Sequence, residues 1–199
     1  MEKKVLSAIA CATLMAAAST ASAYEAGDTI VRVGAANVNP DASSNLGLDV
    51  DDDTQLGLTA TYMLSENLGL ELLAATPFKH DIQLASTGAT IGEAKHLPPT
   101  LSLQYYPMDA QSAVQPYAGI GINYTTFFSE KTILGDTELE DSWGLAFQLG
   151  IDYAITENMV LNAAVWKIDI DTDVSVNGTK LGSQSIDPTV VMLGVGYKF

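Results

Sequence analysis

Eight segments of this chain carry apolar side chains at every second position. Outside the first 23 residues, no uninterrupted apolar run reaches the about 18 residues that read as a membrane-spanning helix. This pattern constrains the fold strongly, because a period of two turns one whole face of a strand towards something apolar. In "TQLGLTATYML" (54–64) that face holds Leu56, Leu58, Ala60, Tyr62 and Leu64. In "WGLAFQLGIDYAI" (143–155) it holds Trp143, Leu145, Phe147, Leu149, Ile151, Tyr153 and Ile155, and in "TVVMLGVGYKF" (189–199) Val191, Leu193, Val195, Tyr197 and Phe199. Segments 29–38, 68–76, 100–106, 114–128 and 159–172 complete the set.

Two architectures suit such strands. A soluble sandwich or lipocalin keeps a polar outer face, whereas each clear strand here has one strongly apolar face. Lipid accommodates that face, and in lipid the backbone groups need a closed sheet. The connections favour the second case. Ser65-Glu66-Asn67, Asp109-Ala110-Gln111 and Thr156-Glu157-Asn158 are short turns, and they alternate with longer polar stretches at 39–53, 77–99, 129–141 and 173–187. The expectation is an all-β fold: an eight-stranded antiparallel up-and-down transmembrane β-barrel with short turns and both termini in the periplasm.

The first residues agree with export. Lys3 and Lys4 precede an uncharged, mostly apolar stretch from Val5 to Ala18, and Ala21-Ser22-Ala23 forms a small-x-small cleavage site. Residues 1–23 read as a signal peptide and residues 24–199 as the barrel, located in the bacterial outer membrane. The lone Cys11 follows a poor lipobox, so no lipid anchor and no disulfide is expected. A net charge of −15 argues against nucleic acid as a partner, because phosphate binding needs clustered Lys and Arg. The end of the last strand, with Tyr197 and Phe199 outward, resembles the signal read by the outer-membrane assembly machinery.

Strand direction sorts the inward positions by depth. Arg32, Glu71, Gln104, Asp152 and Lys198 fall near the periplasmic end, where their opposite charges can pair into a polar plug. Thr59, Leu73, Ala75, Ser102, Ala146, Val190 and Met192 fall higher and line an upper lumen, with Gly57, Gly119, Gly121, Gly144 and either Ala164 or Val165. These are mostly small or apolar. Pro77, Pro98 and Pro99 flank the 77–99 stretch and weaken strand pairing there, because proline cannot donate to the ladder. By parity Trp143 and Trp166 face outward, in an aromatic girdle.

Other chemistry is thinly supported. Asp49, Asp51 and Asp53 imitate the start of a calcium loop, but Thr54 stands where glycine is needed and Ala60 where glutamate is. Asp169, Asp171 and Asp173 share a face expected to point into the upper mouth, within reach of Lys167. His80 and His96, at the two ends of the 77–99 stretch, are read as bracing it. As catalytic groups they would need a nucleophilic serine with a base in reach, and no motif surrounds Ser86 or Ser102. No enzyme activity, metal or cofactor is therefore expected.

The stretches "TQLGLT" with "TYM" (54–63), "NLGLELLAATPF" (67–78), "HLPPTL" (96–101), "PYAGIGINYTTFF" (116–128), "DSWG" (141–144), "IDIDT" (168–172) and the ending "GYKF" closely resemble the OmpW family of eight-stranded outer-membrane proteins. The resemblance implies a narrow barrel with a hydrophobic channel that passes small apolar compounds. The leading expectation is thus passive passage of small hydrophobic solutes, with lateral release into the bilayer above the plug. The alternative is a non-conducting structural barrel whose acidic loops meet bacteriocin, phage or host. In that case the small inward residues only fit the taper of the barrel. Lipid and lipopolysaccharide are partners under either reading; the oligomeric state is not specified by the residues.

Overall fold

The structure, a computed structural model, describes residues 24–41, 43–44 and 48–199, so the expected signal peptide lies outside the described residues. In chain order the strands are β1 (Thr29–Asn39), β2 (Ser43–Ser44), β3 (Leu48–Val50), β4 (Asp53–Ser65), β5 (Leu68–Ala75), β6 (Phe78–Leu84), β7 (Thr90–Leu97), β8 (Thr100–Tyr105), β9 (Val114–Thr132), β10 (Thr137–Leu139), β11 (Ser142–Ala154), β12 (Met159–Ile168), β13 (Asp171–Val176), β14 (Thr179–Ser185) and β15 (Thr189–Lys198). Eight of them, β1, β4, β5, β8, β9, β11, β12 and β15, pair antiparallel in that cyclic order and close between β15 and β1. The expected barrel is therefore present.

Its outer face follows from the alternation. Across β4, β1 and β15, Leu58 lies beside Val33 and Val33 beside Val195; one pleat further on, Leu56 lies beside Ala35 and Ala35 beside Leu193. Leu56, Leu58, Val33, Leu193 and Val195 are all exposed, as are Leu145, Phe147, Leu149 and Ile151 on β11. Such a continuous apolar belt fits lipid contact. Aromatic residues bound it: Trp143 packs against Tyr124 with ring centroids 4.8 Å apart and planes tilted by 41° at the end far from the termini, and Tyr197 meets Phe199 at 4.8 Å at the other.

The strands do not stop where the belt does. On the far side of breaks at 76–77, 98–99, 169–170 and 186–188 from the barrel strands lie β6, β7, β13 and β14. β3, β6, β7 and the far half of β9 form one wall; β10, β13, β14 and β2 form a second. Much of what reads as polar loop at 77–99 and 173–187 is thus strand. Its alternation is diluted by histidine, threonine and glutamine on the inward side, so the period-two signal is weak.

Two orientations differ from expectation. Trp166 is fully buried: it is paired in register with the buried residues Gln148 and Val190, and so points into the barrel. Lys167 takes the outward position, 3.7 Å from Asp41 and donating to the Asp187 carbonyl. A tryptophan beside the only lysine of the strand leaves parity ambiguous, and the charge decides it. The same phase carries Asp169 and Asp171 to the surface and Asp173 to a part-exposed position, where it meets Lys180 and Ser183. Ile168, Ile170, Thr172 and Val174 are the buried, inward set.

Candidate functional site: a side-chain-filled lumen beneath an apolar cavity

Near the termini the lumen is crossed by a network centred on Arg32, which is completely buried. Its guanidinium reaches Asp152 by two bonds, Nη2–Oδ2 at 2.5 Å and Nε–Oδ1 at 3.1 Å. Nη1 donates to Thr61 Oγ1 at 2.7 Å and lies 3.3 Å from Glu71 Oε2, and Nη2 donates to the Tyr106 hydroxyl at 3.2 Å. One cation thus faces two carboxylates, and neutral donors satisfy the remainder. Gln148 donates to Glu71 Oε1 at 2.8 Å, Tyr24 to Asp152 Oδ2 at 2.5 Å and Asn162 to Asp152 Oδ1 at 2.8 Å. Gln104 and Tyr106 complete the chain: Tyr106 donates to Gln104 Oε1 at 2.8 Å and Gln104 to Gln148 Oε1 at 3.0 Å. Buried charge is tolerated when it is paired and its remaining hydrogen-bonding sites are filled.

Four of the five residues expected in a plug, Arg32, Glu71, Gln104 and Asp152, meet here. Lys198 does not; it lies 3.7 Å from Asp28 on the edge of the floor. Sequence reasoning passed over Tyr24, Thr61, Tyr106, Gln148 and Asn162. Thr61 and Gln148 share the inward parity of Thr59 and Ala146, so the alternation identifies them. Tyr117 also enters the lumen, its ring 5.6 Å from the Arg32 guanidinium carbon. Gly150, its register partner on the adjacent strand β11, makes room: a Cβ there would lie 2.2 Å from Tyr117 Cζ.

Further from the termini the lumen is filled with side chains. Thr59, Leu73, Ser102, Ala146, Val190 and Met192 are buried, and Ala75 packs against the same cluster. Trp166 occupies this level as well. An indole and a methionine in so narrow a barrel fill the space that small neighbours leave.

Open space begins beyond them. A cavity of about 280 Å³ lies between the two walls above the barrel, lined by Val50, Ile82, Ile91, Phe127, Val174 and Ile186 among others. None of the seven residues expected to line an upper lumen borders it; Leu73, Ala146, Val190 and Met192 are packed with Trp166 in the buried cluster instead. The exposed side chains of Ile133, Leu134 and Leu181 border it on the solvent side. His80 and His96 border it too, with rings stacked 4.9 Å apart at 13°. Phe78 continues the stack 5.6 Å from His96. The pair lies beyond the aromatic band, since His96 is in register with Phe127, three residues past Tyr124 on β9. Burial, reinforced by the neighbouring His80, pushes the His96 imidazole down to about 3, so it is neutral at ordinary pH.

A closed antiparallel barrel with an apolar outer belt, aromatic borders and a side-chain-filled lumen defines an outer-membrane β-barrel protein. The OmpW family profile matches residues 25–199, and the chain belongs to that family. It is 44% identical over 218 aligned residues to outer membrane protein W of Escherichia coli K12, covering all of both chains. It also matches the crystal structure of the outer membrane protein OprG from Pseudomonas aeruginosa with a TM-score of 0.80 and 43% identity, covering 90% of this chain and 99% of that one. A more distant relative is the dibenzothiophene metabolism operon protein PahQ of Pseudomonas aeruginosa, 25% identical over 187 residues and covering 84% of this chain and 87% of PahQ. The protein thus resides in the bacterial outer membrane, in contact with its lipid.

Proposed function

We propose that the protein passes small hydrophobic molecules across the outer face of the membrane, taking them up in the cavity and releasing them sideways into the bilayer. The cavity carries this reading. Its lining is almost wholly apolar, its solvent side is bordered by exposed Ile133 and Leu134, and its volume of about 280 Å³ lies at the lower edge of small-molecule pockets (about 300–1,000 Å³). The name of one relative refers to metabolism of dibenzothiophene, a fused apolar ring system. Passage straight down is opposed by Trp166, Met192 and the Arg32 network.

The sideways route follows the strand breaks. The ladder between β5 and β8 ends at Leu73 and Thr100, and that between β6 and β7 begins at Phe78 and His96. Between these points lie Pro77, Pro98 and Pro99. Asn123 spans the weak place from the next strand, donating to the carbonyls of Pro98 at 3.1 Å and Pro99 at 3.2 Å. In this reading residues 1–23 are removed as a signal peptide, Tyr197 and Phe199 present the assembly signal, the extended loops touch lipopolysaccharide, and no bond is made or broken in the solute.

The test pairs two assays on the purified barrel in lipid vesicles and planar bilayers. Protein-dependent uptake of a radiolabelled apolar solute, with no steady ion conductance, is expected. Uptake equal to that of protein-free vesicles overturns the reading. The packed lower lumen also suits a second reading, a non-conducting barrel whose loops bind bacteriocin, phage or host. That reading predicts no uptake together with specific binding of such a partner to cells bearing the protein.

A further inference from the structure

We infer that the cavity selects apolar solutes bearing one hydrogen-bond donor, such as a phenol or an alkanol, through acceptors that His80 and Gln184 present from its two opposite walls. The inference rests on the solute-binding role proposed above and narrows its substrate class. Among the described residues, five buried side-chain polar atoms lack a partner: Thr59 Oγ1, His80 Nε2, His96 Nε2, Trp166 Nε1 and Gln184 Oε1. Three of the five belong to residues that border this one cavity.

The chemistry of two of them is fixed by their neighbours. His80 Nδ1 lies 2.6 Å from the carbonyl oxygen of Asp51, so that nitrogen is the donor, and in the neutral imidazole Nε2 carries the lone pair. The Gln184 amide nitrogen donates to the Ser185 carbonyl at 2.9 Å, which fixes its orientation and leaves Oε1 as the unpaired atom. Both are therefore acceptors. His96 is neutral, and its ring stacks on that of His80. The remaining polar side chains on the cavity have protein partners. Thr132 and Thr137 share a hydroxyl–hydroxyl bond of 2.7 Å, and Thr172 donates to the Glu140 carbonyl at 2.7 Å.

The site thus has apolar walls, satisfied threonines, and open acceptors on β6 and on β14. A buried acceptor left unpaired costs free energy that a ligand donor recovers. A hydrocarbon of the same shape leaves the cost in place, and an ether adds a further acceptor. Sites built to bond a polar hydrogen discriminate strongly against analogues lacking it. The Phe78–His96–His80 stack gives the solute a flat surface beside the acceptors.

The experiment uses the full barrel in lipid nanodiscs and three probes of one shape: 2-naphthol, 2-methoxynaphthalene and naphthalene. Each affinity is corrected for partition into empty nanodiscs. Naphthol is expected to bind at least tenfold tighter than the other two. His80→Phe keeps the stack and Gln184→Met keeps the volume; each is expected to reduce that preference severalfold while naphthalene binding persists. All three probes bound alike by the wild type overturns the inference and leaves the cavity's role as an apolar site intact. A naphthol preference unchanged in both variants overturns the assignment to His80 and Gln184. Failure of every probe to bind the wild type overturns the solute-binding role itself, and the inference with it.

Discussion

Arg32 on β1 and Asp152 on β11 hold each other across the lumen, Nη2 to Oδ2 at 2.5 Å, although 120 residues separate them in the chain. Two strands, β15 and β12, stand between theirs in the barrel wall. The pair therefore ties the barrel through its interior, in addition to the backbone ladder.

Removing the cation leaves Asp152 and Glu71 buried without their counter-charge. Arg32→Met should destabilise the barrel by about 3–5 kcal/mol, the usual cost of breaking one side of a buried pair. Urea unfolding in lipid vesicles measures it. Lys198→Met, at the edge of the floor, should cost less, about 1 kcal/mol, because its pair with Asp28 is long at 3.7 Å and only partly buried. Equal losses for the two variants would show that the network does not hold the barrel together.

Gly150 faces the ring of Tyr117 so closely that any side chain collides with it. Gly150→Ala should cost about 1–3 kcal/mol through overpacking. Tyr117→Leu removes the ring, so the double variant should recover most of the Gly150→Ala penalty. A double-mutant cycle with no coupling would place the strain elsewhere.

The barrel was readable because lipid enforces alternation: every exposed Leu, Ile and Val on β4, β11 and β15 marks a strand face. The plug was readable in part for a related reason, since Arg32, Glu71, Gln104 and Asp152 stand out at inward positions of otherwise apolar strands. Gln148 and Thr61 carried the same parity signal without a charge to draw attention. Tyr24 lies before the first strand, where periodicity says nothing. The cavity was hidden because no single segment builds it. β6 and β7 meet β13 and β14 only after the chain closes, and their inward faces mix His80, Thr172 and Gln184 with the aliphatic residues. Trp166 was misplaced because Lys167 beside it fits the opposite parity equally well until the pairing with β11 and β15 is known.

Acid should weaken the outer walls. His96 is held neutral, its pKa lowered to about 3 chiefly by burial and then by His80, with Asp53 acting weakly in the other direction. Unfolded, the same imidazole titrates near its ordinary value of about 6.5. Between these values the unfolded state binds more protons, so stability is complete above about pH 6.5 and falls as the pH is lowered towards 3. His96→Phe should flatten that slope without altering the plateau above neutrality. Hydrogen exchange of the β6 and β7 amides as a function of pH measures it, and a slope that survives the substitution would assign the effect to other groups, such as the Asp53 carboxylate, whose pKa is lowered.

Trp166 belongs to the filled layer between the cavity and the network below. It is 1% exposed, packs in one cluster with Met192, Val190 and Leu73, and its indole nitrogen has no partner among the described residues. Trp166→Ala removes the largest side chain of that layer and should cost about 3–5 kcal/mol by the usual measure for aromatic truncation in a core. It should also extend the apolar cavity downward, so that probes too long for the wild-type site bind while ion conductance stays low, because the Arg32 network is untouched. Combining it with Arg32→Ala and Asp152→Ala should then open steady conductance in planar bilayers. Conductance from Trp166→Ala alone would mean that the polar network does not seal the lumen. Silence in a folded triple variant would mean that the remaining side chains, Met192 and Tyr117 among them, seal it without help from either layer.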